Sequence, residues 1–110
     1  MPKQFKIVVF APKDSVDDLI DAMSKTGAGN IGAYTHCAFI TKGQGNWFST
    51  EESNPTVGAK GQMSRETEYK IEMVCPEDKI KDVIKAVKRV HPYEQAAIDI
   101  YELHFWEETL

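Results

Sequence analysis

The segment Glu66–Val74 reads ETEYKIEMV, and from Glu68 onward polar and apolar side chains alternate. Successive side chains of a strand point to opposite faces, so this alternation predicts a β-strand with one core face and one polar face. The core face carries Tyr69, Ile71 and Met73, and the polar face carries Glu68, Lys70 and Glu72. A strand of this kind indicates a sheet that is covered on one side only.

The residues before this strand predict a strand, a helix and a second strand. Gln4–Phe10, QFKIVVF, is a short β-branched and aromatic run, and Tyr34–Thr41 is a second run of this type. Between them, Ser15 and Asp18 have the spacing of a helix N-terminal cap, and Gly27 is suited to end the helix. The expected apolar stripe consists of Val16, Leu19, Ile20 and Met23.

The residues after the segment predict one more helix and one more strand. Pro76 suits the first turn of a helix, and Pro92 cannot continue it. The apolar stripe of this helix consists of Ile80, Val83, Ile84 and Val87. Ala97–Leu103, AIDIYEL, is the fourth strand. The order β-α-β-β-α-β predicts a ferredoxin-like α+β sandwich, with two helices on one face of a four-stranded antiparallel sheet.

Length and composition favour a single globular domain over residues 1–110 of the chain. A net charge of −4, with basic residues grouped only in the second helix, argues against nucleic acid as a partner. No apolar stretch is long enough to span a membrane, and the first ten residues lack the features of a signal peptide. We therefore expect a cytoplasmic protein with no membrane partner. Cys37 and Cys75 are expected to be free thiols.

The long connection Lys42–Arg65 and the uncovered sheet face both predict contacts with other molecules. The connection contains several glycines and has no convincing strand or helix pattern, and loops of this length are usually functional. We expect a protein partner here, with Trp47 and Phe48 either contacting a ligand or partner, or packing back onto the domain or a neighbouring subunit. The uncovered face predicts homo-oligomerisation.

The segment Gly27–Gly32, GAGNIG, has two interpretations. Glycine-rich backbone can adopt positive φ and expose N–H groups to a phosphate or carboxylate. Alternatively, Gly27 caps the first helix while Gly29 and Gly32 form the turn, and spacing alone favours this second interpretation. The segment is not a dinucleotide fingerprint, because it follows a helix and precedes a strand.

Four sequence segments resemble the YqfO-type insert domain, a CutA-like or PII-like module of the Nif-three-like dinuclear-metal family, of which stand-alone copies occur. They are GAGNIGAYTHCAF at Gly27–Phe39, KGQGNWFSTEESNPTVGAKGQ at Lys42–Gln62, EYKIE at Glu68–Glu72 and HPYEQAAIDIYEL at His91–Leu103. The resemblance implies the ferredoxin-like fold and a trimer with ligands in clefts between subunits. The dinuclear site of the larger relatives lies in a separate domain and is not carried over.

The resemblance also implies two kinds of ligand. CutA-like proteins have a motif similar to His91-Pro92-Tyr93-Glu94 and are linked to divalent copper, whereas PII-like proteins bind adenine nucleotides and signal through a long loop after the second strand. Lys42–Arg65 occupies the position of that loop but lacks a recognisable PII loop sequence. The ligand-binding candidates are Gly27, Gly29, Gly32, Tyr34, Gly58 and Gly61, and the divalent-metal candidates are His36, Glu72, His91 and Glu94.

Each metal candidate has a structural alternative. Imidazole and carboxylate groups suit copper or zinc, but His91 can equally cap the last helix carbonyls while Tyr93 and Glu94 hydrogen-bond across a subunit boundary. His36 and Cys37 are adjacent, so on a strand they would point to opposite faces. A combined site of His36 with His91 or Glu72 would require the fold or a neighbouring subunit to bring these residues together. Catalytic residues at diagnostic spacing are lacking, which disfavours an enzyme. We expect an oligomeric ligand-binding or regulatory module; the alternatives are a CutA-like copper or zinc protein and a structural or partner-binding domain.

Overall fold

The computed structural model describes residues 3–104. Its strands are β1 (Gln4–Ala11), β2 (Phe39–Ser49), β3 (Gln62–Pro76) and β4 (Ala97–Leu103), and its helices are α1 (Val16–Thr26) and α2 (Ile80–Val90). This arrangement confirms the predicted β-α-β-β-α-β order and the ferredoxin-like α+β fold. The predicted domain bounds, residues 1 and 110, lie outside the described range.

β1 and β3 form the centre of an antiparallel sheet with the order β2-β3-β1-β4. Ile7 pairs with Met73 on one side and with Ile100 on the other, so the apolar positions of three strands share a face. A shift of one residue would turn this whole apolar set away from the helices. The alternation in β3 therefore fixes the register of the sheet as well as its covered face.

The hydrophobic core lies between the sheet and the two helices. Val16, Leu19 and Met23 of α1, and Val83 and Val87 of α2, are buried against Ile7, Val9, Ile71 and Met73 of the sheet. Ile20 and Ile80 pack on the edge of this cluster. Each fully buried aliphatic side chain contributes roughly 1.5–3 kcal/mol, which makes the covered face the main source of stability.

Both helices begin differently from the prediction. Ser15 is the N-cap residue of α1, but its side chain makes no capping hydrogen bond. A 3-10 turn, Lys13–Ser15, leads into α1, and a similar turn, Glu77–Lys79, places Pro76 before α2 rather than within its first turn. The C-terminus of α1 is as predicted: Gly27 has φ 127°, and the Ala28 N–H donates to the Met23 carbonyl at 2.9 Å. Ser15 thus occupies the predicted N-cap position but lacks the expected capping hydrogen bond, whereas the prediction of a glycine C-cap is confirmed.

The second strand and the long connection have bounds that differ from those predicted. β2 begins at Phe39 and not at Tyr34, because Ile31 and Tyr34 bond to each other across a tight turn. β2 and β3 then pair as far as Ser49 with Gln62, which leaves Thr50–Gly61 as the loop between them. A long loop does follow the second strand, but much of Lys42–Arg65 is strand. Backbone pairing holds this part of the hairpin, although its polar residues and glycines weaken the strand pattern in the sequence.

The β2–β3 hairpin extends beyond the rest of the sheet. β1 ends where Ala11 pairs with Tyr69, so the hairpin residues beyond this point have no third strand beside them. Phe48 and Met63 face each other there and are 55% and 60% exposed. An isolated two-stranded ribbon is only marginally stable in water. We call this extension, residues 44–49 and 62–67, the hairpin arm.

The sheet face opposite the helices is uncovered, as predicted. Lys70 and Glu72 lie on it with their charged groups 3.8 Å apart. Phe39, opposite Glu72, is 66% exposed, and Tyr101 is 57% exposed on the same face. The open face thus combines charged groups with large exposed aromatic rings. Within residues 3–104, neither helix has the length or hydropathy that crossing a bilayer requires.

Candidate functional site

A cavity of about 410 Å³ lies where the hairpin arm, the Thr50–Gly61 loop and the segment between α2 and β4 meet. Its walls include the aromatic rings of Phe10, Trp47 and Tyr93 and the carboxylates of Glu68 and Glu94. This volume falls within the range typical of small-molecule sites. The position is also adjacent to the open face of the sheet, since Phe10 and Glu68 alternate with core-facing residues of β1 and β3.

His91 holds the segment between α2 and β4 against the sheet. Its backbone N–H donates to the Val87 carbonyl at 2.8 Å and ends the helix, and Pro92 then prevents continuation. The ring accepts a hydrogen bond from the Tyr93 N–H at Nδ1 (3.1 Å), while Nε2 donates to the Phe10 carbonyl at 2.7 Å. This pattern requires the neutral tautomer with its proton on Nε2. Both ring nitrogens of the 7% exposed His91 are therefore engaged within the protein.

The loop and the turn after α2 fasten each other across the cavity. Glu94 Oε2 accepts a hydrogen bond from the Asn54 N–H at 2.9 Å, and the Thr56 hydroxyl donates to the Pro92 carbonyl at 2.8 Å. Trp47 lies against Tyr93 with 6.0 Å between ring centroids and an interplanar angle of 51°. The aromatic wall is thus built from residues that are far apart in the chain.

Glu68 reaches the cavity because β2 has glycines beside it. It pairs with Gly43, and a Cβ on the next open-face residue, Gly45, would overlap the Glu68 carboxylate. The side chain therefore lies across the bare backbone of β2. Burial raises the pKa of the Glu68 carboxyl, an effect that a protonated His91 would oppose. Burial, followed by the negative charges of Glu68 and Glu66, raises the pKa of Tyr93.

The predicted glycine-rich candidates form two separate groups. Gly27, Gly29, Gly32 and Tyr34 lie near the end of α1, where the Gly29 N–H donates to the Val74 carbonyl at 2.7 Å. Gly58 and Gly61 lie in the loop, where the Gly61 N–H donates to Ser49 and a Cβ on Gly58 would meet the Ser64 hydroxyl. Val74 and Ser64 are ten positions apart on β3, a distance of roughly 33 Å. The two groups cannot surround one small ligand in one subunit.

In the group near the end of α1, backbone N–H and carbonyl groups form hydrogen bonds within the chain. The Gly27 N–H donates to the Ser24 carbonyl at 3.2 Å, and the Gly29 carbonyl accepts from the Cys37 N–H at 2.9 Å. Positive φ values of 127° and 76° at Gly27 and Gly29 serve the helix end and the following turn. These contacts support the structural interpretation of the segment over the anion site.

The metal candidates have separate surroundings. His36 bonds to Thr35 through Nδ1 (2.9 Å) and to Asp21 through Nε2 (3.1 Å). Hydrogen bonds from Lys25, and secondarily from His36, lower the pKa of Asp21. Glu72 lies beside Lys70, while His91 and Glu94 have the loop and turn contacts described above. Among residues 3–104, no three histidine, cysteine or acidic side chains are grouped closely enough to hold a metal ion.

Cys37 and Cys75 are free thiols, as predicted. Cys75 is fully buried in the core, and burial raises its pKa to about 11. This thiol has the environment of a packing residue rather than that of a nucleophile.

Parts of the cavity are predictable from the sequence, but its centre is not. The His91–Glu94 motif and Trp47 were singled out, whereas Glu68 was assigned only to the polar strand face. The available signal was the pair of glycines at alternate positions in β2, directly before Trp47 on the same face. Such spacing leaves space above a strand for a side chain from its neighbour.

The ferredoxin-like fold of this chain is also the fold of CutA and GlnK proteins. CutA from Archaeoglobus fulgidus superposes with a TM-score of 0.68 at 16% identity, covering 94% of this chain and 89% of that one. Bacillus subtilis GlnK gives a TM-score of 0.62 at 18% identity, with 92% and 85% covered. These two similarities establish the fold. No family model matches the chain.

Sequence similarity identifies the domain more closely. A Bacillus cereus protein related to NIF3 superposes with a TM-score of 0.82 at 36% identity, covering 94% of this chain and 26% of that one. A protein of Halalkalibacterium halodurans named GTP cyclohydrolase 1 type 2 homolog is 39% identical over 106 residues, 96% of this chain and 28% of the relative. The chain shares this domain with the NIF3-related proteins, as the resemblance implied, and spans about a quarter of the length of these relatives.

Proposed function

We propose that this chain is an oligomeric ligand-binding or regulatory module, with a trimer as the favoured assembly and a small-molecule site in the cavity beside Tyr93. The observation that carries the proposal is the position of a cavity of about 410 Å³ directly beside the open sheet face. Subunits that meet through this face would bring a neighbour close to the cavity. The site would then lie in a cleft between subunits, as the resemblance to CutA-like and PII-like proteins implies.

The open face and the sheet edges support oligomerisation. Phe39 and Tyr101 are more than half exposed on the open face. β2 is an edge strand of 11 residues, and β4 is the other edge. Long edge strands expose unpaired backbone groups, and proteins usually cover or pair them. A second copy of the chain would cover both the rings and the edges.

The preformed wall of the cavity supports ligand binding. His91, Glu94 and Thr56 fix the turn and the loop by hydrogen bonds, so the Trp47 and Tyr93 rings are held in place without a ligand. Sites that are ordered in advance bind at a lower entropic cost. The activity named for the larger relatives is not part of this proposal, because the chain corresponds to about a quarter of their length.

Analytical ultracentrifugation tests the assembly. We expect the unmodified protein to sediment as a trimer at micromolar concentration and the Phe39→Asp/Tyr101→Asp variant to dissociate, because the substitutions place charges in the interface. Ile31→Asp is the matched control, since Ile31 is 53% exposed in the turn after α1. A wild-type monomer at this concentration would contradict the proposed assembly.

A thermal-shift panel of nucleotides, small organic molecules, anions and divalent metals tests the site. We expect one ligand class to raise the melting temperature in a dose-dependent manner, and Tyr93→Ala to abolish the shift. Tyr34→Ala is the control, because Tyr34 belongs to the glycine-rich turn and is 75% exposed. Loss of the shift in Tyr34→Ala alone would move the site to that turn. If no compound changes the melting temperature, the alternative of a structural or partner-binding domain would be favoured.

A further inference from the structure

From the cavity's charges and aromatic walls we infer that it selects an organic cation, an amine, amidinium or guanidinium group on a compact molecule with an apolar part, and that Glu68 is its counter-ion. The inference rests on the proposed ligand-binding function and specifies the chemistry of that same site. It is carried by the unpaired carboxylate of Glu68, the aromatic wall formed by Trp47 and Tyr93, and the charge of the residues that line the cavity.

The Glu68 carboxylate has no cationic partner in the described chain. The ion pairs found among residues 3–104 involve Lys3, Lys25, His36 and Lys70, and none of them includes Glu68. The carboxylate is nevertheless partly buried where it lies across Gly45. Removing an ionised carboxylate from water is unfavourable unless a partner is supplied. A cationic ligand would supply this partner.

The rings beside Glu68 suit the same kind of ligand. The ring centroids of Trp47 and Tyr93 are 6.0 Å apart, so the two rings form one continuous wall. Phe10 also lines the cavity. Cations are attracted to the faces of aromatic rings, most strongly to tryptophan, and the apolar part of a ligand packs on the same surface. The wall therefore favours a cation attached to an apolar or aromatic group over a bare metal ion.

The overall charge of the lining argues against an anionic ligand. Glu68 and Glu94 contribute carboxylates, and no lysine or arginine of the described range lines the cavity. Oε2 of Glu94 accepts a hydrogen bond from the Asn54 N–H, so among residues 3–104 Glu68 is the lining carboxylate with both oxygens free for a ligand. A phosphate or carboxylate ligand would meet like charge here, which costs affinity. The phosphate or carboxylate that the Gly27–Gly32 segment suggests is therefore not expected to bind in this cavity.

Benzamidine and benzamide provide a matched pair of probes, because they have nearly the same shape and differ in charge. Titrations use the protein in its native assembly and follow the fluorescence of Trp47 in a Trp106→Phe background. We expect benzamidine to bind at least about tenfold more tightly than benzamide, as a hydrogen bond to a charged partner implies. Glu68→Gln should reduce this ratio to about twofold or less.

Two further variants separate a direct role of Glu68 from a structural one. Glu102→Gln is the control, because Glu102 is exposed on β4 beside Lys3, and it should leave the ratio unchanged. Gly45→Ala should lower the ratio with Glu68 intact, because the added Cβ would displace the carboxylate. Urea denaturation of each variant confirms that it is folded.

The pH dependence gives a readout that a purely structural role would not produce. Benzamidine remains cationic throughout, so its affinity should fall as Glu68 becomes protonated. The midpoint should lie above that of an ordinary glutamate, because burial raises the pKa of Glu68. The other ionisable groups around it are Glu66 and Lys70 on β3 and His91, Tyr93 and Glu94 on the turn. Glu68→Gln should remove this midpoint.

Three outcomes would overturn the inference, and they differ in what they leave standing. Equal binding of benzamidine and benzamide would exclude cation selection but keep the cavity as a ligand site. A charge preference that persists in Glu68→Gln would exclude Glu68 as the counter-ion. Failure of both probes to bind would overturn the cationic class, while the thermal-shift panel and the sedimentation experiment would still decide the proposed function.

Discussion

The helix-covered part of the sheet and the hairpin arm are built by different means. In the covered part, Ile7, Leu19 and Ile71 are fully buried, whereas Phe48 and Met63 in the arm are more than half exposed. The covered part is held by apolar side chains that recur at regular spacing. The arm is held by backbone pairing, and the Thr50–Gly61 loop at its end is held by hydrogen bonds to the turn after α2. Stability is thus concentrated in the covered part, whereas the cavity lies where the arm meets the loop and the segment after α2.

The largest expected difference between the regions concerns apolar truncation. Leu19→Ala should reduce the free energy of unfolding by about 2–5 kcal/mol, because it leaves a cavity in a fully packed core. Phe48→Ala should reduce it by only about 1 kcal/mol in the isolated subunit, since the side chain is 55% exposed. Urea denaturation below the dissociation concentration measures both. Equal effects would show that the arm is packed in solution.

A second prediction compares two glycines of the turn after α1, one packed against the core and one exposed to solvent. Gly29→Ala should cost about 2–4 kcal/mol, because φ is 76° and the new Cβ would lie 2.9 Å from the Cys37 carbonyl oxygen. Gly32→Ala is the control: φ is 58°, but nothing lies within 4 Å, so only backbone strain of about 1 kcal/mol remains. Urea denaturation compares the two. Similar losses would mean that the steric environment of Gly29 is relaxed in solution.

A third comparison uses two of the predicted metal ligands. His91→Ala should cost about 1–3 kcal/mol, because it leaves the Phe10 carbonyl and the Tyr93 N–H without their partner. Amide hydrogen exchange should also accelerate at Tyr93. His36→Ala should have a much smaller effect, since its contacts are exposed. A large loss of stability in His36→Ala and none in His91→Ala would contradict the conclusion that the His91 hydrogen bonds hold the turn in place.

The smallest expected effect is the stability cost of Glu68. The native pKa of this carboxyl is raised by burial, so the folded state binds more protons than the unfolded state between the two pKa values, and stability falls as pH rises through that window. Above it, Glu68→Gln should stabilise the unliganded protein by less than about 1 kcal/mol, because solvent screens a partly exposed group. Below both pKa values the difference should vanish. A loss of stability at neutral pH would indicate an unrecognised partner.

Most of the fold could be predicted from sequence because the covered part obeys simple periodicities. The stripes in α1 and α2 and the alternation in β3 identified the core face, and Ala97–Leu103 was predicted with the observed bounds. The bounds of β2 could not be predicted. Its outer residues gain backbone hydrogen bonds from β3, and neither face of the arm is buried enough to impose an apolar pattern.

The candidate site was less predictable because it depends on contacts between distant residues. Asn54 and Glu94 are 40 positions apart, and His91 and Phe10 are 81 apart. No local spacing encodes such pairs. Gly43 and Gly45 indicate open space above β2, but only the register shows that Glu68 fills it. The HPYE segment was recognised in the sequence, but the ring of its histidine makes hydrogen bonds within the chain that hold the turn after α2.

The pairing of Gln4 with Leu103 has a further consequence for how such a unit can be combined with others. Directly opposed residues of antiparallel strands lie only about 4.5–5.5 Å apart, so the chain enters and leaves the sheet at nearly the same point. A host protein could accept the unit within a surface loop with little displacement of the loop's two ends. The same neighbouring ends make the unit suited to circular permutation, with new ends in the Thr50–Gly61 loop.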